Sequence, residues 1–552
     1  MFFHLIWLLL YGKIKSDQVK GEDAMGTYLN PGNNEFERIM NSNYIDKTGM
    51  IDIISKRINT MDNLICISRP RRFGKSYAAR MLCAYYDHTC DSHSLFDDKE
   101  ISRSEGYEKH INKYNVIYLD IASFVSDVTE KDGTIKGIVK KIADSIYSEL
   151  ISEQPELNNK KSLSECMLAY VQATKMKFVF IIDEWDAIIR EARHDEEIQK
   201  TYLNLLRLWF KNGNFTSKAV AAAYMTGILP IKKDRSQSAI SDFREFTIIN
   251  PAMFAKYTGF TETEVRKICA EHNMDFEEAK RWYDGYTFKG TESIYNPYSV
   301  MMAMSMGEYE SYWKQTSAAE SLKAYINMNF DNLQSDILKL IAGEHIAVNT
   351  GRFKNDFTTF TSKDDVLTLL IHLGYLVYDN KTKRARIPNE EVRTEFDDLL
   401  QNAQHTKLAA LISDSEKLLQ DTLNGNETEV VNAIVRVRNT NYAPMFYNNE
   451  QALRYVIKFA YIICIDYYLK VEELPTGHGL ADVVFIPKQS TALPAMIVEL
   501  KWNKTAEGAL KQIKEKNYPE LLRDYTGKMV LVGINYDEES KEHYCKIEKI
   551  KI

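Results

Sequence analysis

A chain of 552 residues is too long for one hydrophobic core and implies roughly two to four domains. Its 45% hydrophobic and 27% charged residues are those of an ordinary globular protein, and a net charge of -7 argues against non-specific coating of polyanions. Seven cysteines without repeated spacing argue against a disulfide framework and suit a reducing, cytoplasmic setting.

In chain order, the first feature is the apolar run MFFHLIWLLLY, which has no basic residue before it and no small-residue cleavage site after it. It is too short for a comfortable membrane span and reads as an upstream extension; a weak membrane anchor is the lesser alternative. Residues 1–30 are expected to lie outside the fold, with folded sequence beginning near Met25. From about residue 63 to 250, the runs NLICIS, YNVIYLDIA, KFVFIIDE and KAVAAAYMTG alternate with helical stretches, and FREFTII offers a fifth strand. Continuous apolar character implies strands covered on both faces, hence a largely parallel α/β sheet. Within CAYYDHTCDSH, residues Cys83, His88, Cys90 and His93 are zinc-ligand types, but their spacing favours a helix end followed by a polar loop.

The stretch SRPRRFGKS, Ser68 to Ser76, ends like a phosphate-binding loop, although Arg69 stands where the first glycine of Gly-x-x-x-x-Gly-Lys-Ser/Thr belongs. A strand feeds it and the helix YAARMLCAYY leaves it, so helix N-terminal amides would point at phosphates. The expected binding set is Arg72, Phe73, Gly74, Lys75 and Ser76, with Lys75 on the β/γ-phosphates and the Ser76 hydroxyl on Mg²⁺. About a hundred residues on, FVFIIDEWDAII is an apolar strand ending in two carboxylates. Asp183 is expected to hold the metal and Glu184 to orient the attacking water. A buried strand ending in a solvated acidic turn is the plainer alternative for that segment alone. Thr226 ends a third strand as a candidate γ-phosphate contact, and Arg235 and Arg244 are candidate charge stabilisers. Arg69, Arg71 and Arg72 are expected to add positive charge near where phosphates would lie, either to help binding or to contact a partner.

From 259 to 402 the chain reads as helical and aromatic, with RWYDGYTF, YNPYSV and YW. RWYDGYTF has no assignable chemistry, and its aromatics are expected to pack the helical subdomain. A helix ending at Gly374 followed by two short strands around DNKTKR has the shape of a winged helix. A structural role is favoured over DNA binding there, since no basic recognition helix is evident.

The last unit, 403–552, opens with helices and continues into a compact α/β region. GHGLADVVFI and PAMIVELKW place Asp482 and Glu499 on neighbouring strands, with Glu499 and Lys501 on one face while Val498 and Leu500 point into the core. Mg²⁺ takes hard oxygen ligands and keeps several waters, so two carboxylates suffice to hold it beside a phosphodiester. A divalent ion activates water and offsets charge on the phosphate, and Lys501 can position the water or stabilise the transition state. Glu450 on NNEQALRYVIKFAY is placed to complete the metal site, and Gln512 and Lys516 share one helical face near it. The competing reading is a solvated sheet face carrying alternating charges.

Taken together, NNEFERI…NYIDKTGMI, RPRRFGKS, FIIDEWDAII, MTGILPI, WYDGYTF, YNPYSV and LADVVFIP…IVELK resemble bacterial proteins that join an AAA-type ATPase-like domain to a C-terminal PD-(D/E)XK nuclease-like domain. The family's loop also commonly reads R-P-R-R-F-G-K-S. The resemblance implies ATP binding and hydrolysis at Lys75, Ser76, Asp183 and Glu184, and a nuclease pattern at Glu450, Asp482, Glu499, Lys501 and Gln512. The implied fold is a P-loop NTPase (AAA/STAND-like) parallel-sheet domain at 31–258, a helical and winged-helix-like region at 259–402, and a restriction-endonuclease-like α/β domain at 403–552. Expected cofactors are ATP and Mg²⁺, with Mn²⁺ an alternative at the nuclease site. Expected partners are nucleic acid, DNA first, and no membrane; monomer, dimer and homo-oligomeric ring all stay open. The first functional reading is an ATP-gated nuclease. The alternatives are a non-cutting ATP switch whose nuclease-like domain only binds, and an ATPase using that domain for assembly.

Overall fold

The four apolar runs form β1 (Leu64–Ser68), β2 (Asn115–Asp120), β3 (Phe178–Asp183) and β4 (Val220–Gly227), and FREFTII supplies the short β5 (Arg244–Phe246). In this computed structural model the described residues are 26–132, 135–192, 195–231, 240–288, 293–313, 333–353, 360, 362–402, 406–441, 450–461, 464–476, 479–488, 493–515 and 528–551. The five strands make one parallel sheet in the order β2-β3-β4-β1-β5. Alternate residues of each strand feed different cores: Ile65, Ile67, Tyr118 and Ile181 pack on one face, and Cys66, Leu119, Phe180 and Ile182 on the other. Both faces are therefore covered, which is why the runs show no polar alternation.

Residues 1–25, with the opening apolar run, lie outside the described residues. Residues 26–30 do not fit the expected extension. Asn30 N–H donates to Val116 O and Tyr118 N–H to Tyr28 O, both at 2.8 Å, so this segment lines the edge of β2. The Glu149 carboxylate accepts the amides of Thr27, Tyr28 and Leu29 at 3.1, 2.9 and 2.7 Å, so edge amides that sequence reading cannot pair are satisfied there.

After the loop that leaves β1, helix α1 (Lys75–Tyr86) begins at Gly74, whose φ of +80° an L side chain rarely adopts. The middle region holds the pair β6 (Phe260–Thr261) and β7 (Ile294–Tyr295), helices α2 (Phe276–Tyr283) and α3 (Pro297–Met306), and a small unit built on α4 (Lys363–Leu373). A capping box between Ser362 and Asp365 starts α4, and Gly374 at φ +91° ends it. The hairpin β9 (Val377–Asp379) and β10 (Arg384–Arg386) follows as expected, and β8 (Ile346–Ala347) adds a third strand beside β10. Helix α5 (Glu390–Asn402) leads out of the unit.

The C-terminal sheet runs β11 (Tyr468–Thr476), β12 (Gly479–Pro487), β13 (Ala495–Trp502), β14 (Lys528–Asp537) and β15 (Glu542–Lys551) in that order; β13 and β14 are parallel and the other neighbours antiparallel. Helices α6 (Glu450–Ala460) and α7 (Ala506–Glu515) lie against it. One apolar core runs without a break from Phe73 in the phosphate-loop segment, through Leu369, Leu370 and Phe396, to Val498 and Leu500 of β13. Among the described residues, no helix is long and apolar enough to cross a membrane.

Candidate nucleotide site and nuclease-like centre

Parallel register brings the first site together. Ser68 stands beside Gly227 and Ile67 beside Thr226, while Asp183 ends the strand on the far side of β4. The loop, the acidic strand end and Thr226 therefore meet beyond the carboxyl ends of the strands, where open α/β sheets bind ligands. A cavity of about 870 Å³ opens there. Arg71, Arg72, Gly74, Lys75, Ser76 and Glu184 line it, together with Tyr44, Ile45, Lys47, Phe260 and Tyr298. The wall formed by Ser42–Lys47 was not assigned from sequence, because nothing local ties it to a loop thirty residues on.

Lys75 is buried, and its ammonium donates to the carbonyls of Arg69 (3.2 Å) and Pro70 (2.8 Å). Burial lowers its pKa, and Glu184 and Asp183 work against that shift. The Asp183 carboxyl is raised by burial, although the hydroxyls of Ser76 and Thr226 bond to it. Burial also opposes charge on Glu184, but Arg190 and Lys75 outweigh it and hold that carboxyl below its usual range. Glu184 adopts φ +48°, a costly backbone state for a residue with a side chain, and this turns it toward Arg190 at 2.5 Å. Sequence reading missed Arg190. Its signal was the i, i+4 spacing from Asp186, whose carboxylate it also meets at 3.3 Å.

Several expectations for this site need correction. Arg69 adds no charge beside the phosphates: it is fully buried, and its guanidinium donates to the carbonyls of Ser68 and Phe246, each at 2.9 Å. Burial without a carboxylate lowers its pKa to about 10. Arg72 lines the cavity with its backbone at φ +67°, and its side chain donates to Tyr312 O at 2.9 Å and lies 3.9 Å over the Tyr298 ring. Phe73 also lines the cavity, while its ring packs into the apolar core against Tyr286. The Thr226 hydroxyl donates to Asp183 at 2.6 Å, so it orients that carboxylate. Arg244 lies at the other end of the sheet, beside Ile65, and pairs with Asp62 at 2.7 Å on the surface. Arg235 lies outside the described residues. The four zinc-type residues go separate ways: Cys83 is in the core, His88 faces Asn30, Cys90 meets Asp87 O and His93 meets Asp97.

Tyr312, which holds Arg72, donates its own N–H to Glu391 at 3.0 Å. Burial and the neighbouring Glu395 push the Glu391 carboxyl up to about 8, against the pull of Arg72. The folded protein thus keeps a proton that the unfolded chain releases near pH 4.5. This contribution to stability is complete below that pH and is lost as pH rises through about 8. Urea unfolding at pH 5 and pH 8 should show wild type losing as much as about 4 kcal/mol more than Glu391→Gln over that interval. Equal losses in the two proteins would overturn the assignment.

The second centre follows from strand pairing. Val483 stands opposite Val498 in antiparallel β12 and β13, so the next pair outward sets Asp482 against Glu499. Both carboxylates are buried, as is Lys501. Asp482 accepts Leu500 N–H at 2.8 Å through one oxygen and the Arg454 guanidinium of α6 through the other. Glu499 accepts Lys501 Nζ at 3.0 Å, and the Gln512 amide of α7 on the same oxygen. Glu450 opens α6 one turn before Arg454, on the same helical face. The sequence reading named every one of these residues except Arg454. Lys516 lies outside the described residues.

Both donor sets suit a hard divalent ion: the Ser76 hydroxyl with Asp183, and the paired carboxylates Asp482 and Glu499. Comparison with known proteins finds two matched regions. Residues 31–236 match the family described as predicted AAA-ATPase, and residues 448–544 match the PD-(D/E)XK nuclease superfamily. A protein of Azotobacter chroococcum mcd 1, described as an uncharacterised protein in the vnfD 5′ region, is 21% identical over 516 residues, covering 90% of this chain and 93% of the relative. Among solved structures, the Aeropyrum pernix ORC2 protein in its ADPNP-ADP complexes is 13% identical with a TM-score of 0.31, covering 66% of this chain and 97% of that one. Cdc6p of Pyrobaculum aerophilum is 11% identical with a TM-score of 0.26, covering 64% of this chain and 92% of that one. The fold itself is read from the strand order and register of this chain. The chain thus joins a region that matches the predicted AAA-ATPase family, residues 31–236, to one that matches the PD-(D/E)XK nuclease superfamily, residues 448–544.

Proposed function

We propose that the chain binds and hydrolyses ATP at the loop ending in Gly74-Lys75-Ser76, and that this cycle controls divalent-metal-dependent cleavage of DNA at the C-terminal centre. The observation that carries the proposal is the convergence of buried Asp482, Glu499 and Lys501 with the half-buried Gln512, from two strands and a helix. Two neighbouring buried carboxylates cost several kcal/mol even with Arg454 and Lys501 beside them, and a sheet face kept only for packing needs none of these charges. A divalent ion held by the two carboxylates supplies charge neutralisation at the phosphate and a stronger nucleophile. Lys501 is positioned to hold the attacking water or the departing charge, and Gln512 fixes the orientation of Glu499. At the first site Lys75 meets the β/γ-phosphates, Ser76 and Asp183 hold the metal, and Glu184, once released by Arg190, aligns water.

A second reading, a non-cleaving switch, is favoured by two contacts. Arg454 on Asp482 and Lys501 on Glu499 balance the two anions without a metal. Incubation of the full chain with single- and double-stranded DNA and RNA, with Mg²⁺ or Mn²⁺, with and without ATP, separates the readings. Cleavage of DNA that requires metal, changes with ATP and is lost in Glu499→Gln is the expected result. Metal-dependent cleavage surviving unchanged in Glu499→Gln would place the chemistry elsewhere, and no cleavage under any condition would favour the switch.

A further inference from the structure

The WYDGY segment is not used by either centre, yet it touches the nucleotide loop. Tyr286 is fully buried, and its ring meets Phe73 edge-on at 5.1 Å and 88°. Its hydroxyl donates to Gly374 O at 2.7 Å, at the carboxyl end of α4. Gly374 in turn packs so closely on the loop that a Cβ there would stand 2.8 Å from Pro70 Cβ. Pro70 O is one of the two carbonyls that hold the Lys75 ammonium.

These contacts close a circuit. Lys75 holds Pro70, Pro70 packs on Gly374, Gly374 is bonded by Tyr286, and Tyr286 holds Phe73, two residues before Lys75. Phe73 O also accepts Gly259 N–H at 3.1 Å, so the middle region grips the loop by backbone and ring together. For Lys75 to reach a phosphate it must give up the Pro70 carbonyl. The loop then changes at the point where Gly374 leaves no spare space, and a packed contact of that kind does not deform smoothly.

We propose that Tyr286 is a positioning residue with two separable tasks: its ring sets the phosphate loop through Phe73, and its hydroxyl makes the winged-helix-like unit respond to the state of that loop. This deepens the proposed nucleotide-site function and rests on it. The unit is well placed to pass the response on. Gly374 and Tyr375 follow α4, Tyr375 packs on Phe396 of α5, and Glu390 at the start of α5 faces Lys488, just past β12, at 3.8 Å. Strand β12 carries Asp482.

The test compares Tyr286→Phe, which keeps the ring and removes the hydroxyl, with Tyr286→Leu, which removes both. A fluorescent ATP analogue with Mg²⁺ reads binding, and hydrogen exchange of the full chain reads the response of residues 370–378. Tyr286→Phe is expected to bind nucleotide within about twofold of wild type while losing at least about half of the nucleotide-induced change in exchange at 370–378. Tyr286→Leu is expected to weaken binding about fivefold, the scale of one aromatic contact. An unchanged response in Tyr286→Phe, or a wild type protected at the loop but unaltered at 370–378, would overturn the proposal. If wild type itself fails to bind nucleotide, the nucleotide reading fails. The coupling is then read in the free protein, where Phe73→Leu should raise exchange at 370–378 at least about twofold, and equal exchange overturns it. Thermal melts of each variant identify any that fail to fold, and Tyr286→Phe, which keeps the packed ring, remains the deciding one.

Discussion

Lys75→Ala will reduce nucleotide affinity by about 10²- to 10³-fold, the worth of two charge-assisted hydrogen bonds to phosphate. The argument begins with what surrounds the ammonium. Glu184 and Asp183 both stabilise its charge, and with the buried Arg190 it offsets them at the mouth of the loop. Alanine removes that cation and leaves both carboxylates facing the incoming triphosphate, so repulsion adds to the lost contact. The fold should survive, because Glu184 keeps Arg190 and Asp183 keeps the hydroxyls of Ser76 and Thr226, so the melting temperature without ligand should change little. Lys75→Arg should not rescue, because a planar guanidinium cannot replace a compact ammonium between the carbonyls of Arg69 and Pro70. Titration with a fluorescent nucleotide, and the rise in melting temperature on adding ATP and Mg²⁺, measure both effects. Wild-type affinity in Lys75→Ala would place the nucleotide somewhere else.

How much of this was legible from sequence depends on whether a role is local. The loop, its strand and its helix are contiguous, so Gly74, Lys75 and Ser76 could be placed from order alone. Asp482 and Glu499 were legible because alternation in two apolar runs leaves few faces for a carboxylate. Direction was not legible. The arginine-rich loop suggests three cations beside phosphates, yet Arg69 turns into the core and Arg72 onto Tyr298, because Gly74 alone does not fix where the preceding residues point. Arg69 explains the missing first glycine in physical terms: the position is filled by a side chain that bonds carbonyls of its own strand and of the segment after β4, so the turn needs no glycine there. Arg190 and Arg454 were missed although each stands four residues after an acid, Asp186 and Glu450. That spacing marks a shared helical face but does not tell a surface pair from one aimed into a site. WYDGY looked like packing, and Tyr283 does pack the helical subdomain; the contact of Tyr286 with Phe73 joins segments more than two hundred residues apart, which no local pattern records.

Asp482→Asn will lower cleavage by about 10³-fold and will weaken Mn²⁺ binding by at least about tenfold. Asparagine keeps the shape and still accepts Leu500 N–H, so the strand pair is preserved while the charge is lost. The charge matters because of what now balances it. Asp482 carries Arg454 and Glu499 carries Lys501, so a divalent ion entering between the carboxylates meets two resident cations. Arg454 comes from α6 rather than from the strand that carries Glu499 and Lys501, so it is the cation expected to turn from Asp482 toward a phosphate. Its removal should therefore act on the metal in the opposite sense. Arg454→Met, which keeps the apolar stem against the sheet, is expected to tighten Mn²⁺ binding about fivefold by ending the competition for Asp482. The same change should weaken retention of DNA, because the cation available to a phosphate is gone. Electron paramagnetic resonance of free Mn²⁺ in the absence of DNA reads the first effect without relying on activity. Opposite signs for Asp482→Asn and Arg454→Met establish that the arginine and the metal contend for one carboxylate; the same sign in both would mean that Arg454 braces the site instead.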